Sequence, residues 1–169
     1  MRLVTFVQRN GTHLGILQNK AIYELDSTNE LLFGEQHGFP DDMISLLEGE
    51  DETFQRLRRL QNAIEENEEN LRREGLAKTE DTVQLSAPIP RPKKNIVCLG
   101  LNYAEHANET KHDLPKLPIF FTKPPTSVIG PYDSIILPKS SSQIDYEAEL
   151  ALVIGKKGKN IPQRDLGTM

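Results

Sequence analysis

Asp145-Tyr146-Glu147-Ala148-Glu149-Leu150-Ala151-Leu152-Val153-Ile154-Gly155 places two carboxylates two residues apart and then runs into apolar sequence. Its residue types predict a β-strand over 146–154, with side chains alternating between faces at period two. Glu147 and Glu149 then share a face with Ala151 and Val153, while Ala148, Leu150, Leu152 and Ile154 take the other. With both faces apolar toward the C-terminal end, the pattern is that of a strand covered on both sides. Side chains at i and i+2 stand roughly 7 Å apart along a strand, so two carboxylates there repel by about 2.4 kcal/mol at an effective dielectric of about 20. A raised pKa on one acid, a cationic neighbour or a divalent metal ion relieves that repulsion. A hard cation such as Mg²⁺, held by carboxylates and completed by waters and substrate oxygens, fits best. The alternative is that both glutamates lie on a solvated stretch before the strand turns inward.

Upstream, further strands are expected over 95–101, 118–122 and 134–137, separated by Pro, Gly and Ser clusters. The first of these runs into Asn102-Tyr103-Ala104-Glu105-His106-Ala107-Asn108-Glu109. If 104–109 is helical, His106 and Glu109 lie on one side at i and i+3, where the carboxylate fixes the tautomer and raises the basicity of the imidazole. Such a pair serves as a general base; it also occurs as an ordinary surface salt bridge. Lys123 ends the apolar run Pro118-Ile119-Phe120-Phe121-Thr122, immediately before Pro124 and Pro125. It either reaches to solvent or, beside acids and a metal, binds a substrate carboxylate or enolate. Cys98 reads as packing, and no phosphate-cradling glycine loop or nucleophile-elbow serine is present.

The first 86 residues read as a separate small domain. Leu3-Val4-Thr5-Phe6-Val7, His13-Leu14-Gly15-Ile16-Leu17 and Ala21-Ile22-Tyr23-Glu24-Leu25 alternate with turn chemistry and predict a β-meander, with His13 as a solvated turn residue. A short helix is expected over 41–48 and a long one over 50–74, whose stripe Phe54, Leu57, Leu60, Ile64 and Leu71 recurs at helical spacing. Glu52/Arg56, Glu68/Arg72 and Glu69/Arg73 are acid-first i,i+4 pairs on its wet side. Residues 87–94 hold three alternating prolines, a stiff connector between the domains 1–86 and 95–169. The expected class is therefore a β-rich mixed α+β protein.

Composition narrows the function classes. The 169 residues carry a net charge of −5 and no basic cluster with interleaved aromatics, which disfavours nucleic acid as a partner. A single cysteine excludes an internal disulfide framework and favours a reducing compartment, with the cytoplasm as default. No apolar run is long enough for a membrane span.

Taken together, Asn102-Tyr103-x-x-His106-x-x-Glu109, the strand ending in Lys123-Pro124, Ile136-Leu137-Pro138 and Asp145-Tyr146-Glu147-x-Glu149-Leu150 resemble the fumarylacetoacetate hydrolase family over 95 to about 160. The resemblance implies a mixed β-roll catalytic domain, a homodimer, and Mg²⁺ or Mn²⁺ as cofactor. It implies hydrolysis, decarboxylation, hydration or isomerisation of small 2-oxo and 2,4-dioxo acids through a metal-stabilised enolate. By the same resemblance Glu147 and Glu149 are metal ligands, His106 and Glu109 the proton-transferring dyad, and Lys123 a substrate contact. The family takes a third acidic ligand from later strands, so a β-roll incomplete at its C-terminus, weakly stable or associated and inactive alone, is expected of this chain. The rival expectation is a non-catalytic binding or assembly module of the same fold.

Overall fold

A computed structural model describes residues 1–8, 11–36, 38–102, 117–144, 146 and 148–164. The chain is a mixed α+β protein whose sheets are antiparallel. β1 (Leu3–Gln8), β2 (Gly11–Gln18) and β3 (Ala21–Glu24) form the expected meander. Two short strands, β4 (Ala77–Lys78) and β5 (Gln84–Leu85), complete a five-stranded sheet in the order β4-β3-β2-β1-β5. β2 turns into β3 through Asn19 and Lys20, both at positive φ (48° and 63°), a two-residue hairpin whose twist suits its strands. Gly15 is needed where β2 passes between its neighbours, since a Cβ there would stand 2.8 Å from Ile22 Cγ2 and 3.0 Å from the Tyr23 carbonyl oxygen.

Three helices cover one face of this sheet: α1 (Leu25–Phe33), α2 (Met43–Leu47) and α3 (Asp51–Arg73). Leu14, Ile16, Ala21 and Tyr23 of the sheet meet Leu25, Met43, Leu46, Leu57, Leu60, Ile64 and Leu71 of the helices in a single core. The α3 stripe is the expected one. Its seven-residue gap between Ile64 and Leu71 holds Asn67, whose non-helical φ of −119° kinks the helix while its side-chain amide donates to the Ala63 carbonyl at 2.9 Å. Gly75, at φ 74°, ends the helix, and the Leu76 amide reaches back to the Leu71 carbonyl at 3.0 Å.

Sequence and structure part at three places in this half. α1 is unforeseen: Leu25 begins a helix rather than ending a strand. Asp26-Ser27-Thr28-Asn29 has turn composition, yet Thr28 and Asn29 are buried and the Asn29 amide donates to the Glu35 carbonyl at 2.9 Å. The charges of α3 are not all a wet face either. Glu68 pairs with Arg72 at 2.7 Å as expected, but Arg56 and Arg59 reach Glu35 at 3.3 and 3.4 Å and lie over the Phe39 and Phe33 rings. They fasten the segment that follows α1. Nor is His13 a solvated turn residue: it lies in β2, mostly buried, stacks on Phe6 and pairs with Glu24 at 2.6 Å, and Glu24 also meets Lys78 at 3.6 Å.

Asp42 caps α2, accepting from the Ser45 amide at 3.0 Å and the Ser45 hydroxyl at 2.6 Å. Hydrogen bonds from the Ser45 side chain and then its backbone hold the carboxyl below its ordinary value. A depressed folded pKa contributes stability above the ordinary carboxylate range, and that contribution disappears as pH falls through the folded value. Asp42→Ala is expected to lower the unfolding free energy by about 1 kcal/mol at neutral pH. The difference should shrink below a pH of about 4. Equal denaturation midpoints for the two proteins at neutral pH would remove the cap from the account.

Residues 86–95 form neither helix nor strand, as the prolines require. The connector is nonetheless tied to the first half: Thr5 Oγ1 donates to the Pro88 carbonyl at 2.7 Å, the Ser86 amide donates to the Thr5 carbonyl at 2.9 Å, and Lys93 Nζ reaches both Glu48 oxygens at 2.7 Å. Beyond it, β6 (Ile96–Gly100) and β7 (Ile119–Lys123) pair as a two-stranded ladder, followed by a 3₁₀ turn over Pro125–Ser127.

The strands expected over 134–137 and 146–154 are absent among the described residues. Leu150, Leu152 and Ile154 on one face are 78%, 80% and 81% exposed and Val153 on the other is 62% exposed, so the described segment is covered on neither face. Period-two patterning specifies which side chains share a face, but a strand exists only when its amides and carbonyls find a neighbouring ladder. Among the described residues no strand pairs with this segment.

Candidate functional site

β6 and β7 form because Ile96-Val97-Cys98-Leu99 and Ile119-Phe120-Phe121-Thr122 are β-branched, aromatic and apolar. Their register sets Ile96 against Lys123, Cys98 against Phe121 and Gly100 against Ile119. Pairing stops after Lys123 because Pro124 and Pro125 carry no amide hydrogen. Lys123 and Phe121 share a face, and the ammonium stands 6.0 Å from the centre of the Phe121 ring. Cys98 is half-buried on that same face.

At the other end of the ladder, Leu101 adopts a positive φ of 51°. A left-handed conformation costs a non-glycine residue roughly 1 kcal/mol, and here it turns the chain sharply out of β6. The next side chain, Asn102, meets Glu149: its Nδ2 donates to Glu149 Oε2 at 3.2 Å across 47 residues of sequence. Both side chains are exposed.

Of the five expected site residues, His106, Glu109 and Glu147 lie outside the described residues. Lys123 and Glu149 are described, and they are associated with opposite ends of the ladder. Glu149 is joined to Asn102 beside Gly100, whereas Lys123 pairs with Ile96 four residues away, about 14 Å along the strand. The contact that sequence reasoning missed is Asn102. It stood in the pattern as the first residue of Asn102-Tyr103-x-x-His106, and the available signal was an amide at a strand end just ahead of a His/Glu pair.

Among the described residues no three His, Cys, Asp or Glu side chains converge on a common point. Asp133 is engaged locally, accepting from the Gly130 amide at 2.7 Å. Glu149, by contrast, forms no ion pair with a described lysine or arginine and is held by a neutral amide. An exposed carboxylate is the kind of hard oxygen donor that Mg²⁺ and Mn²⁺ take, so Glu149 suits such an ion as one of its ligands. Two grooves of about 360 Å³ lie elsewhere. One is lined by Arg2, Gln18, Gln61 and Glu65, the other by Val4, Thr5, Leu85, Pro88, Ile129 and Pro131, and neither includes a candidate residue.

Residues 95–168 match the family model for the fumarylacetoacetate (FAA) hydrolase C-terminal domain. A Rattus norvegicus protein named oxaloacetate tautomerase Fahd2a, mitochondrial, is 52% identical over 84 residues, 50% of this chain and 26% of that protein. The Homo sapiens protein named oxaloacetate tautomerase FAHD2A, mitochondrial, is 49% identical over 83 residues, with 49% and 26% covered. The fumarylacetoacetate hydrolase domain-containing protein 2 homolog of Dictyostelium discoideum is 38% identical over 168 residues, 98% of this chain and 50% of that protein. The chain thus spans between a quarter and a half of the length of these relatives. Among solved structures, one from Mycobacterium smegmatis assigned as HpcE aligns with a TM-score of 0.50 at 20% identity, covering 82% of this chain and 41% of that one. At that identity the likeness speaks to the fold.

Proposed function

The chain belongs to the fumarylacetoacetate hydrolase family through residues 95–168, and on that premise we propose that the complete protein is a metal-dependent enzyme moving a proton on small, enolisable 2-oxo acids of the oxaloacetate class. The observation that carries this reading is the 52% identity over half of the chain to a protein named for oxaloacetate tautomerisation. Hydrolysis of a 2,4-dioxo acid is the second reading; it starts from the same enolisable group and needs the same base.

In this proposal Glu149 and Glu147 hold Mg²⁺ or Mn²⁺. When bound, the ion supplies Lewis acidity at the 1-carboxylate and 2-oxo end of the substrate. His106, its tautomer set by Glu109, takes the proton from substrate carbon 3 and returns a proton to the 2-oxo oxygen; one C–H bond breaks and one O–H bond forms. In the hydrolytic reading the same imidazole deprotonates a water. Lys123 offers its ammonium to the distal carboxylate of a diacid. In this reading the protein works as a homodimer. No described helix is long and apolar enough to cross a membrane. A reducing compartment, cytoplasmic or mitochondrial, suits the free thiol of Cys98.

The test follows the conjugated enol of oxaloacetate by its ultraviolet absorbance. The complete protein with Mg²⁺ or Mn²⁺ is expected to speed its decay, a chelator to abolish the effect and added metal to restore it. An acylpyruvate assayed in parallel separates tautomerisation from hydrolysis. A metal-loaded protein that changes neither substrate sinks the proposal.

A further inference from the structure

The hydrogen bond between Asn102 and Glu149 links the strand end leading toward His106 to the glutamate segment. A carboxylate on a flexible, exposed side chain samples many orientations, and ordering it costs entropy each time an ion binds. One amide N–H on Oε2 restricts that rotation while occupying a single one of the carboxylate's acceptor positions. The donor is also neutral. A lysine or arginine in its place would orient the carboxylate equally well but would cancel the charge that attracts a cation. The left-handed turn at Leu101 is the local feature that swings Asn102 out of β6 into this position.

We propose that Asn102 is a positioning residue, holding the Glu149 carboxylate for a divalent cation and coupling metal affinity to the β6 end that precedes His106. This inference rests on the reading of Glu149 as a metal ligand. Partners that orient a metal-binding side chain typically change metal affinity by about 10- to 100-fold when removed.

The experiment is a Mn²⁺ titration of the complete protein without substrate, by calorimetry or electron paramagnetic resonance, on wild type, Asn102→Ala, Asn102→Leu, Glu149→Gln and the Asn102→Ala/Glu149→Gln double variant. Asn102 is exposed, so alanine should preserve the thermal midpoint of the metal-free protein; leucine, similar in size but lacking the amide, is the second probe. Both single Asn102 variants are expected to bind Mn²⁺ about tenfold or more weakly than wild type. In the Glu149→Gln background, removing Asn102 should change affinity by less than about twofold, because the two act as one unit. Wild-type affinity in Asn102→Ala and Asn102→Leu, or a full further loss in the double variant, overturns the positioning role while Glu149 stays a ligand. Unchanged affinity in Glu149→Gln overturns the ligand reading itself, and the inference with it.

Discussion

Replacing His106 by alanine in the complete, metal-loaded protein is expected to lower kcat on an enolisable 2-oxo diacid by about 10² to 10⁴-fold, the usual contribution of a positioned general base. Affinity for Mn²⁺ should stay within about twofold, since the imidazole handles the proton while oxygen donors hold the ion. That split is the informative result. A ligand removed from the metal would weaken ion binding, whereas a base removed from the proton path leaves binding and slows turnover. Glu109→Gln should slow turnover less, because the imidazole remains and loses only the carboxylate that sets its tautomer. Steady-state kinetics at saturating metal, run beside the Mn²⁺ titration, check both statements. A His106→Ala variant that turns over at the wild-type rate would falsify the assignment of the base.

The second large effect concerns stability. Leu60→Ala is expected to cost about 2 to 5 kcal/mol, the range for deleting a fully buried leucine and leaving a cavity. Leu60 is completely buried in the core shared by α3 and the five-stranded sheet. Its neighbours in the stripe, Leu57 and Ile64, are equally buried and leave little room to collapse into the void. Leu99→Ala, by contrast, removes a side chain that is 42% exposed in the described chain and should cost far less. Urea denaturation of the two variants against wild type measures the difference, and a Leu60→Ala midpoint equal to that of Leu99→Ala would count against this core.

What was legible in the sequence is what local interactions decide. The meander follows from alternation and from turn residues such as Asn19-Lys20, and α3 from a stripe that buries Leu57, Leu60, Ile64 and Leu71. α1 is not legible locally because its polar residues answer to distant groups: Asp26 accepts from the Phe39 amide at 3.3 Å, and the Asn29 amide serves Glu35. Read locally they resemble a turn; in place they anchor the segment that leads to α2. His13 reads locally as a turn residue for the same reason, since Glu24 and Phe6 reach it only across the sheet.

At the candidate site the division is sharper. The sequence by itself offered the candidates, the spaced Glu147 and Glu149 and the His106/Glu109 pair, and their proposed roles came from the resemblance to the family. It also identified the family, through several motifs in one order. Only the tertiary structure decided that Glu149 lies against Asn102, that Lys123 stands at the far end of the ladder, and that residues 148–154 pair with no described strand. The physical reason is that side-chain identity is written residue by residue, whereas strand pairing and the approach of an amide to a carboxylate 47 residues away depend on backbone partners that no local pattern specifies.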